Sequence, residues 1–105
     1  MPWFILIGHD GPRGLELRKI HRAAHLAGLE PLASAGRIRH AGPLLGDDGA
    51  PVGSVVLFEA QSLADARAIA EHDPYVTEGL FARYEVRETT VVFSDSATRV
   101  TDANR

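Results

Sequence analysis

Two side chains that can exchange protons stand out in this sequence, an imidazole and a carboxylate. His25 lies in segment 22–26, which has helical periodicity, and Asp73 stands just before Pro74, where a helix is expected to end. If the two meet, the carboxylate fixes the tautomer of the ring, and the other ring nitrogen can exchange a proton with a substrate. Such a pair suits isomerisation, elimination or dehydration. The residues alone leave an alternative open, in which His25 is a surface helix residue and Asp73 caps a turn.

A metal site is the competing interpretation of the same histidines. His21 and His25 are four residues apart and would be neighbours on one side of a helix, so that with His72 or Asp73 they could form a zinc site. No glutamate lies between them, and the guanidinium of Arg22 would repel a dication. We therefore predict no metal and no other cofactor. Arg22 itself has two open roles, as an anchor for a substrate carboxylate or as the partner of a glutamate on the helix surface.

Composition limits the class of protein. The chain has 105 residues, 45% hydrophobic and 24% charged, which is ordinary for a single globular domain. A net charge of −3 provides no basic surface, so nucleic acid is not an expected partner. No apolar run approaches the roughly 18 residues that span a membrane, and the apolar start lacks the features of a signal peptide. Because cysteine is absent, disulfides and thiolate catalysis are excluded, and we expect a cytoplasmic protein.

The apolar pattern predicts the element order β-α-β-β-α-β. Strands are expected at 3–7, 37–41, 55–58 and 82–93, and helices at about 15–35 and 63–71, with 45–53 as a hairpin loop. This order is the ferredoxin-like α+β fold, an antiparallel four-stranded sheet with two helices on one face. The predicted domain covers residues 1–93, and residues 94–105 are expected to be a polar, mobile tail.

The first predicted helix contains an apolar stripe and a possible break. Leu17, Ile20, Ala24 and Gly28 fall on one stripe, with His25 toward its polar side. Pro31 predicts a kink near 28–31 or two abutting helical pieces, and Gly36 is a suitable C-terminal stop. In the second helix Ser62 is the expected N-cap and Pro74 the expected end.

The sheet has a second apolar face that two helices cannot cover. The first and third strands are apolar on both faces, with two sets of side chains that point in opposite directions: Phe4, Leu6, Val56 and Phe58 on one face, and Trp3, Ile5, Val55 and Leu57 on the other. Soluble monomers rarely expose a large apolar patch. We predict a homodimer that packs through these sheet faces. The alternative is that the long loop and the tail cover the second face.

Several short motifs, in order, resemble the YciI-like (YCII-related) family of dimeric α+β barrel proteins. The resemblance extends over about 3–93 and consists of Arg22, His25-Leu26, Gly36-Arg37, Ala41-Gly42-Pro43, Gly53-Ser54, Asp73-Pro74-Tyr75 and Gly79. It implies a dimer with a pocket in each subunit and a His–Asp active site, which by position is His25 with Asp73. Relatives of this barrel type include muconolactone isomerases and a dehydrochlorinase of chlorinated hydroxyhydroquinones.

The resemblance also adds candidate substrate-binding residues. Gly42 could let a ligand approach the backbone, or Gly42-Pro43 could simply end the strand. Tyr75 could line the pocket or only pack beside Pro74. The first functional hypothesis is a cofactor-independent enzyme that uses His25 and Asp73 for isomerase-type or lyase-type proton transfer on a small anionic or aromatic molecule. The alternative is a small-molecule-binding or accessory dimer without turnover, and the sequence names no substrate.

Overall fold

The computed structural model describes residues 1–93, and the predicted tail at 94–105 lies outside the described residues. The elements are β1 (Trp3–Asp10), α1 (Gly14–Ser34), β2 (Ile38–Leu45), β3 (Pro51–Glu59), α2 (Leu63–Glu71), α3 (Pro74–Thr77) and β4 (Phe81–Thr89). All strand pairs are antiparallel, in the order β2-β3-β1-β4. The predicted ferredoxin-like α+β fold is therefore confirmed, with α3 as an additional helix. Among residues 1–93, no helix combines the length and apolar character needed to cross a bilayer.

The central strands alternate between two apolar faces, as predicted. Phe4, Leu6, Val56 and Phe58 are at most 3% exposed and form the core with Leu32 and two alanines of α2. The opposite face is only half-buried, and consists of Trp3, Ile5, Ile7, Val55 and Leu57. Successive side chains of a strand point to opposite faces, so the interior strands β1 and β3 place apolar residues on both. The helices therefore cover one face only.

The inward face of α1 differs from the predicted stripe. The buried residues of α1 are Gly14, Leu17, His25 and Leu32, whereas Ile20 is 61% exposed. The prediction that Ile20, Ala24 and Gly28 face the core is wrong, and so is the placement of His25 toward the polar side. The physical reason is that the polar side chains on the true inward face have buried partners elsewhere in the chain, which remove the cost of burying them.

Pro31 does not divide α1. A single helix continues to Ser34, so the prediction of two helical pieces is wrong. Pro31 lies close to the C-terminus, where the packing of buried Leu32 maintains the helix beyond it. Gly36, with φ of 72°, then ends the helix as predicted. Its N–H donates to Ala33 O at 3.0 Å and that of Arg37 to Leu32 O at 2.8 Å, which is a Schellman motif.

The second strand is longer than predicted, and the fourth is shorter. β2 continues through Gly42 and Pro43, so the interpretation that this dipeptide ends the strand is wrong. Pro43 is tolerated because β2 is an edge strand. On the open side of an edge strand there is no neighbouring strand, so a proline without an N–H there removes no hydrogen bond from the sheet. β4 ends at Thr89 rather than near Phe93, because its partner β1 begins opposite it, at Trp3.

Candidate active site

A cavity of about 330 Å³ lies between α1 and the β2–β3 hairpin. Its lining residues are Arg18, Lys19, Arg22, His25, Leu26, Leu29, Ala41, Gly42, Pro43, Pro51, Ser54, Val55, Val56 and Tyr75. Five of the six predicted site residues are in this set. The sixth, Asp73, lies behind His25 and lines a smaller cavity of about 80 Å³ on the other side of the imidazole.

His25 and Asp73 are in direct contact. The ring Nδ1 lies 2.8 Å from Oδ1 and 2.9 Å from Oδ2 of the carboxylate, and both residues are buried, at 9% and 8% exposure. An ionised carboxylate can only accept, so Nδ1 carries the proton and donates it. In the neutral ring Nε2 is then the nitrogen with a free lone pair, and His25 lines the cavity of about 330 Å³. This is the arrangement that a general base requires.

Asp73 is held in place by the short helix that follows it. It is the N-cap of α3, and its Oδ1 accepts a hydrogen bond from Tyr75 N at 2.8 Å. Pro74 occupies the first turn of α3, where its missing N–H costs nothing. The prediction that Pro74 ends the second helix is therefore wrong, since α2 ends at Glu71 and Pro74 begins α3. Asp73 is both a cap and the partner of His25.

The ring of Tyr75 stacks on the face of the His25 imidazole. The two rings are stacked, with centroids 3.9 Å apart and planes 5° from parallel, and the edge of Tyr75 meets Phe81 at 5.8 Å. Burial raises the pKa of Tyr75 above its usual value, although the charges of Arg18 and Arg22 oppose this. Tyr75 is therefore a neutral phenol at physiological pH. The stacking of Tyr75 on the imidazole and the hydrogen bond from His25 to Asp73 together fix the plane of the His25 ring.

A second polar cluster, which the sequence analysis did not find, is centred on Arg18. Its Nε donates to Asp10 Oδ2 at 2.7 Å, and its Nη2 to Asp10 Oδ1 at 2.9 Å and Gly53 O at 2.7 Å. Nη2 also donates to Ser54 Oγ at 3.0 Å, and the guanidinium lies over the ring of Tyr75 at 5.1 Å. Burial lowers the pKa of Arg18, but the hydrogen bonds and charge of Asp10 outweigh it.

A local signal for this cluster existed but was ambiguous. A Cβ at Gly14 would lie 2.6 Å from Asp10 Oδ2, so glycine there makes room for the buried carboxylate. In the sequence, Asp10 stands beside Gly11 and Pro12 and looks like an ordinary turn residue. Nothing in the spacing shows that Arg18 reaches it.

The other histidines do not join His25. His21 Nε2 is 4.0 Å from Glu78 Oε1, and His72 Nδ1 donates to Ala68 O at 2.7 Å. Within residues 1–93, no group of three or more His, Asp or Glu side chains is close enough to hold a metal ion. The zinc alternative therefore has no geometric support in that part of the chain.

The cavity lining is cationic. It includes Arg18, Lys19 and Arg22 but neither aspartate nor glutamate. Arg18 is neutralised by Asp10, whereas Arg22 forms no ion pair with any residue in the described range 1–93. The alternative in which Arg22 pairs with a glutamate is therefore without support in that range. Positive charge beside an apolar floor favours a small anionic ligand.

Comparison with known proteins places these residues in a family. Residues 1–90 match the YCII-related domain. Protein YciI of Escherichia coli O6:H1 is 38% identical over 96 residues, which are 86% of this chain and 98% of that protein. An uncharacterized protein of Haemophilus influenzae is 34% identical over 97 residues, 87% of this chain and 99% of its own length.

Two solved structures share the fold. One is 5-chloro-2-hydroxyhydroquinone dehydrochlorinase (TftG) of Burkholderia phenoliruptrix in complex with 2,5-dihydroxybenzoquinone, with a TM-score of 0.72 and 38% identity. That comparison covers 81% of this chain and 90% of TftG. The other is a NIPSNAP family protein of Agrobacterium tumefaciens, with a TM-score of 0.51 and 19% identity over 89% of this chain and 95% of that one. At 19% identity, the second structure shows a common fold alone.

Proposed function

This chain belongs to the YCII-related family, and from that premise we propose that it is a cofactor-independent enzyme that uses His25 and Asp73 for proton transfer on a small anionic or aromatic molecule. The observation that carries the proposal is the 2.8 Å contact between His25 Nδ1 and Asp73, with the same imidazole lining the cavity. In this role His25 is the general base and acid, and Asp73 is a positioning residue that fixes its tautomer.

The proposed reaction begins when His25 Nε2 takes a proton from a hydroxyl group or an acidic carbon of the substrate. The electron pair left behind forms a new double bond within the substrate. His25 can then return the proton to a different atom, which is an isomerisation. In the second version a leaving group such as chloride departs with its bonding electrons, which is an elimination. Both versions balance in atoms and electrons without an oxidant or reductant.

We propose the substrate class from the residues that line the cavity and from the activity in the name of one relative. Arg22 would anchor an anionic group, and Gly42, Pro43 and Tyr75 would shape the cavity around a flat ring. TftG, which is 38% identical, is named for removing chloride from a chlorinated hydroxyhydroquinone. An oxygenated six-membered ring of that kind suits a cavity of about 330 Å³. We therefore propose an oxygenated aromatic or related anion as the substrate.

Chloride release from 5-chloro-2-hydroxyhydroquinone tests the proposal. The wild-type protein should release chloride at least about 100-fold faster than His25→Asn, because a general base contributes this much or more. His72→Asn is the matched control, since His72 is exposed and does not line the larger cavity. Equal rates in wild type and His25→Asn would contradict the assignment of His25. If His25→Asn instead alters the oligomer or the fold, the histidine is structural.

A non-catalytic binding protein is the second candidate function. The observation that favours it is the burial of both His25 and Asp73, which a closed hydrogen-bonded network would also require. The chloride assay separates the two candidates when it is combined with calorimetric titration of 2,5-dihydroxybenzoquinone. Binding without chloride release by the wild-type protein would favour this second function.

We also propose a homodimer that packs through the half-buried sheet face. Trp3, Ile5 and Leu57 lie on the face that the helices leave uncovered, and burial of this apolar surface would stabilise a dimer. Light scattering after gel filtration should give the mass of two chains, and Leu57→Glu should give one. A wild-type monomer would show that another part of the chain covers this face.

A further inference from the structure

Ser54 carries an unused hydrogen-bond donor at the cavity wall. It lies on β3, is 4% exposed and lines the cavity of about 330 Å³. Its Oγ accepts a hydrogen bond from Arg18 Nη2 at 3.0 Å, but its own hydroxyl hydrogen finds no acceptor among residues 1–93. A hydroxyl group can donate as well as accept, so Ser54 keeps one donor available after it has accepted from Arg18. An oxygen atom of a ligand in the cavity would supply the acceptor for this hydroxyl.

The neighbours of Ser54 make its hydroxyl a stronger donor. Arg18 is anchored at two points by Asp10, and the side chains of this pair are only 12% and 7% exposed. A hydroxyl oxygen that accepts from a guanidinium is polarised, and its O–H then donates more strongly. Arg18 cannot turn away to bind the ligand fully, because Asp10 and Gly53 O occupy its Nε and Nη2 donors. Arg18 and Asp10 are thus positioning residues for Ser54.

We infer that Ser54 donates a hydrogen bond to the substrate oxygen on which negative charge builds when His25 removes a proton. This inference rests on the proposed function and deepens it, because it specifies the kind of substrate. The substrate must carry a hydroxyl or carbonyl oxygen conjugated with the position that loses the proton, as in a phenol or an enolisable ketone. Ser54 on β3 and His25 on α1 would then contact the substrate from two different walls of one cavity.

Binding of 2,5-dihydroxybenzoquinone, measured by calorimetric titration, tests this inference. Ser54→Ala should raise the Kd about tenfold or more, the usual effect of losing a hydrogen bond to a charged acceptor. Ser34→Ala is the matched control, since Ser34 is exposed at the end of α1 and its hydroxyl donates to Glu30 Oε1. It should leave the Kd within about twofold of wild type. A urea titration of each variant verifies that it is folded.

The possible results distinguish the role of Ser54 from the proposed catalysis by His25. A Kd for Ser54→Ala within about twofold of wild type would overturn the role of Ser54 and leave His25 untouched. A raised Kd together with chloride release that does not depend on His25 would support the Ser54 contact and refute the proposed catalysis. If the wild-type protein does not bind this compound at millimolar concentration, both the inference and the proposed substrate class are wrong.

Discussion

Substitution of Asp73 by asparagine should reverse the tautomer of His25. The Oδ1 atom of Asp73 accepts from Tyr75 N at 2.8 Å, so the amide oxygen of the new residue must occupy that position. Its NH2 group then replaces Oδ2, 2.9 Å from His25 Nδ1. The amide oxygen would still lie 2.8 Å from Nδ1, but the NH2 group 2.9 Å away would then face a second donor, and this donor–donor contact is relieved when Nδ1 becomes the acceptor. The ring proton therefore moves to Nε2, which loses the lone pair that a general base needs.

The magnitudes follow from these bonds. The hydrogen bond to a charged acceptor is replaced by one between neutral groups, which should lower the free energy of unfolding by about 1 to 2 kcal/mol. Turnover should fall much more, by about 10²-fold to 10⁴-fold, because the base is in the wrong tautomer. A small loss of stability with a large loss of rate is thus the expected signature of Asp73→Asn.

Nitrogen NMR of isotope-labelled protein measures the tautomer directly and needs no substrate. At a pH where the ring is neutral, wild type should show His25 with a protonated Nδ1 and an unprotonated Nε2, and Asp73→Asn should show the reverse. Asp65→Asn is the matched control, because Asp65 is an exposed first-turn residue of α2. An unprotonated Nε2 that persists in Asp73→Asn would refute the account of how Asp73 acts on His25.

Two further predictions concern packing and ionisation. Gly8→Ala would place a Cβ 2.5 Å from the ring of Phe81 and should cost about 1 to 3 kcal/mol in urea unfolding, whereas Gly28→Ala, with open space, should add about 0.5 to 1 kcal/mol. Equal effects would contradict the packing. In Tyr84→Phe, the remaining Tyr75 should ionise above its ordinary pKa, as measured by tyrosinate absorbance, because burial disfavours the charged form. Because the pKa is raised in the folded protein, the contribution of buried Tyr75 to the free energy of unfolding is complete below about pH 10 and is lost as the pH rises further. Ionisation of Tyr75 at or below its ordinary pKa would contradict this prediction.

The strands were predictable because their signal is local. Phe4 and Leu6 alternate with Trp3 and Ile5, and this pattern is sufficient to place β1 in the centre of a sheet with two apolar faces. The end of α1 was equally local, since Gly36 supplies the positive φ that a Schellman motif needs. Strand ends were less predictable, because Thr89 ends β4 only through the position of its partner Trp3.

The orientation of α1 could not be read from its own residues. A hydrophobic stripe through Ile20 is the natural choice, yet the helix buries His25 and half-buries Arg18. Each is compensated by a carboxylate from another element, Asp73 and Asp10 respectively. A local pattern does not include such distant partners, and the predicted stripe was therefore rotated away from the true one.

In the site, too, some residues could be predicted from motifs, whereas others depend on contacts between distant parts of the chain. The family resemblance led to His25, Asp73 and Tyr75, which contact one another, and of these His25 and Tyr75 line the cavity. It did not lead to the role of Ser54, which appears only when Arg18 is seen to approach from another element. Two contacts of this second cluster, from Arg18 to Gly53 and to Ser54, join residues 35 and 36 positions apart, and no periodicity connects them.

The most direct test is a crystal structure of the wild-type protein with 2,5-dihydroxybenzoquinone. The account predicts that the ligand lies in the cavity between α1 and the β2–β3 hairpin, with one of its oxygens within about 3.2 Å of His25 Nε2. The Nδ1 contact with Asp73 should persist in the complex. A ligand bound elsewhere, or one that leaves Nε2 beyond hydrogen-bonding reach, would contradict the proposal that His25 transfers the proton.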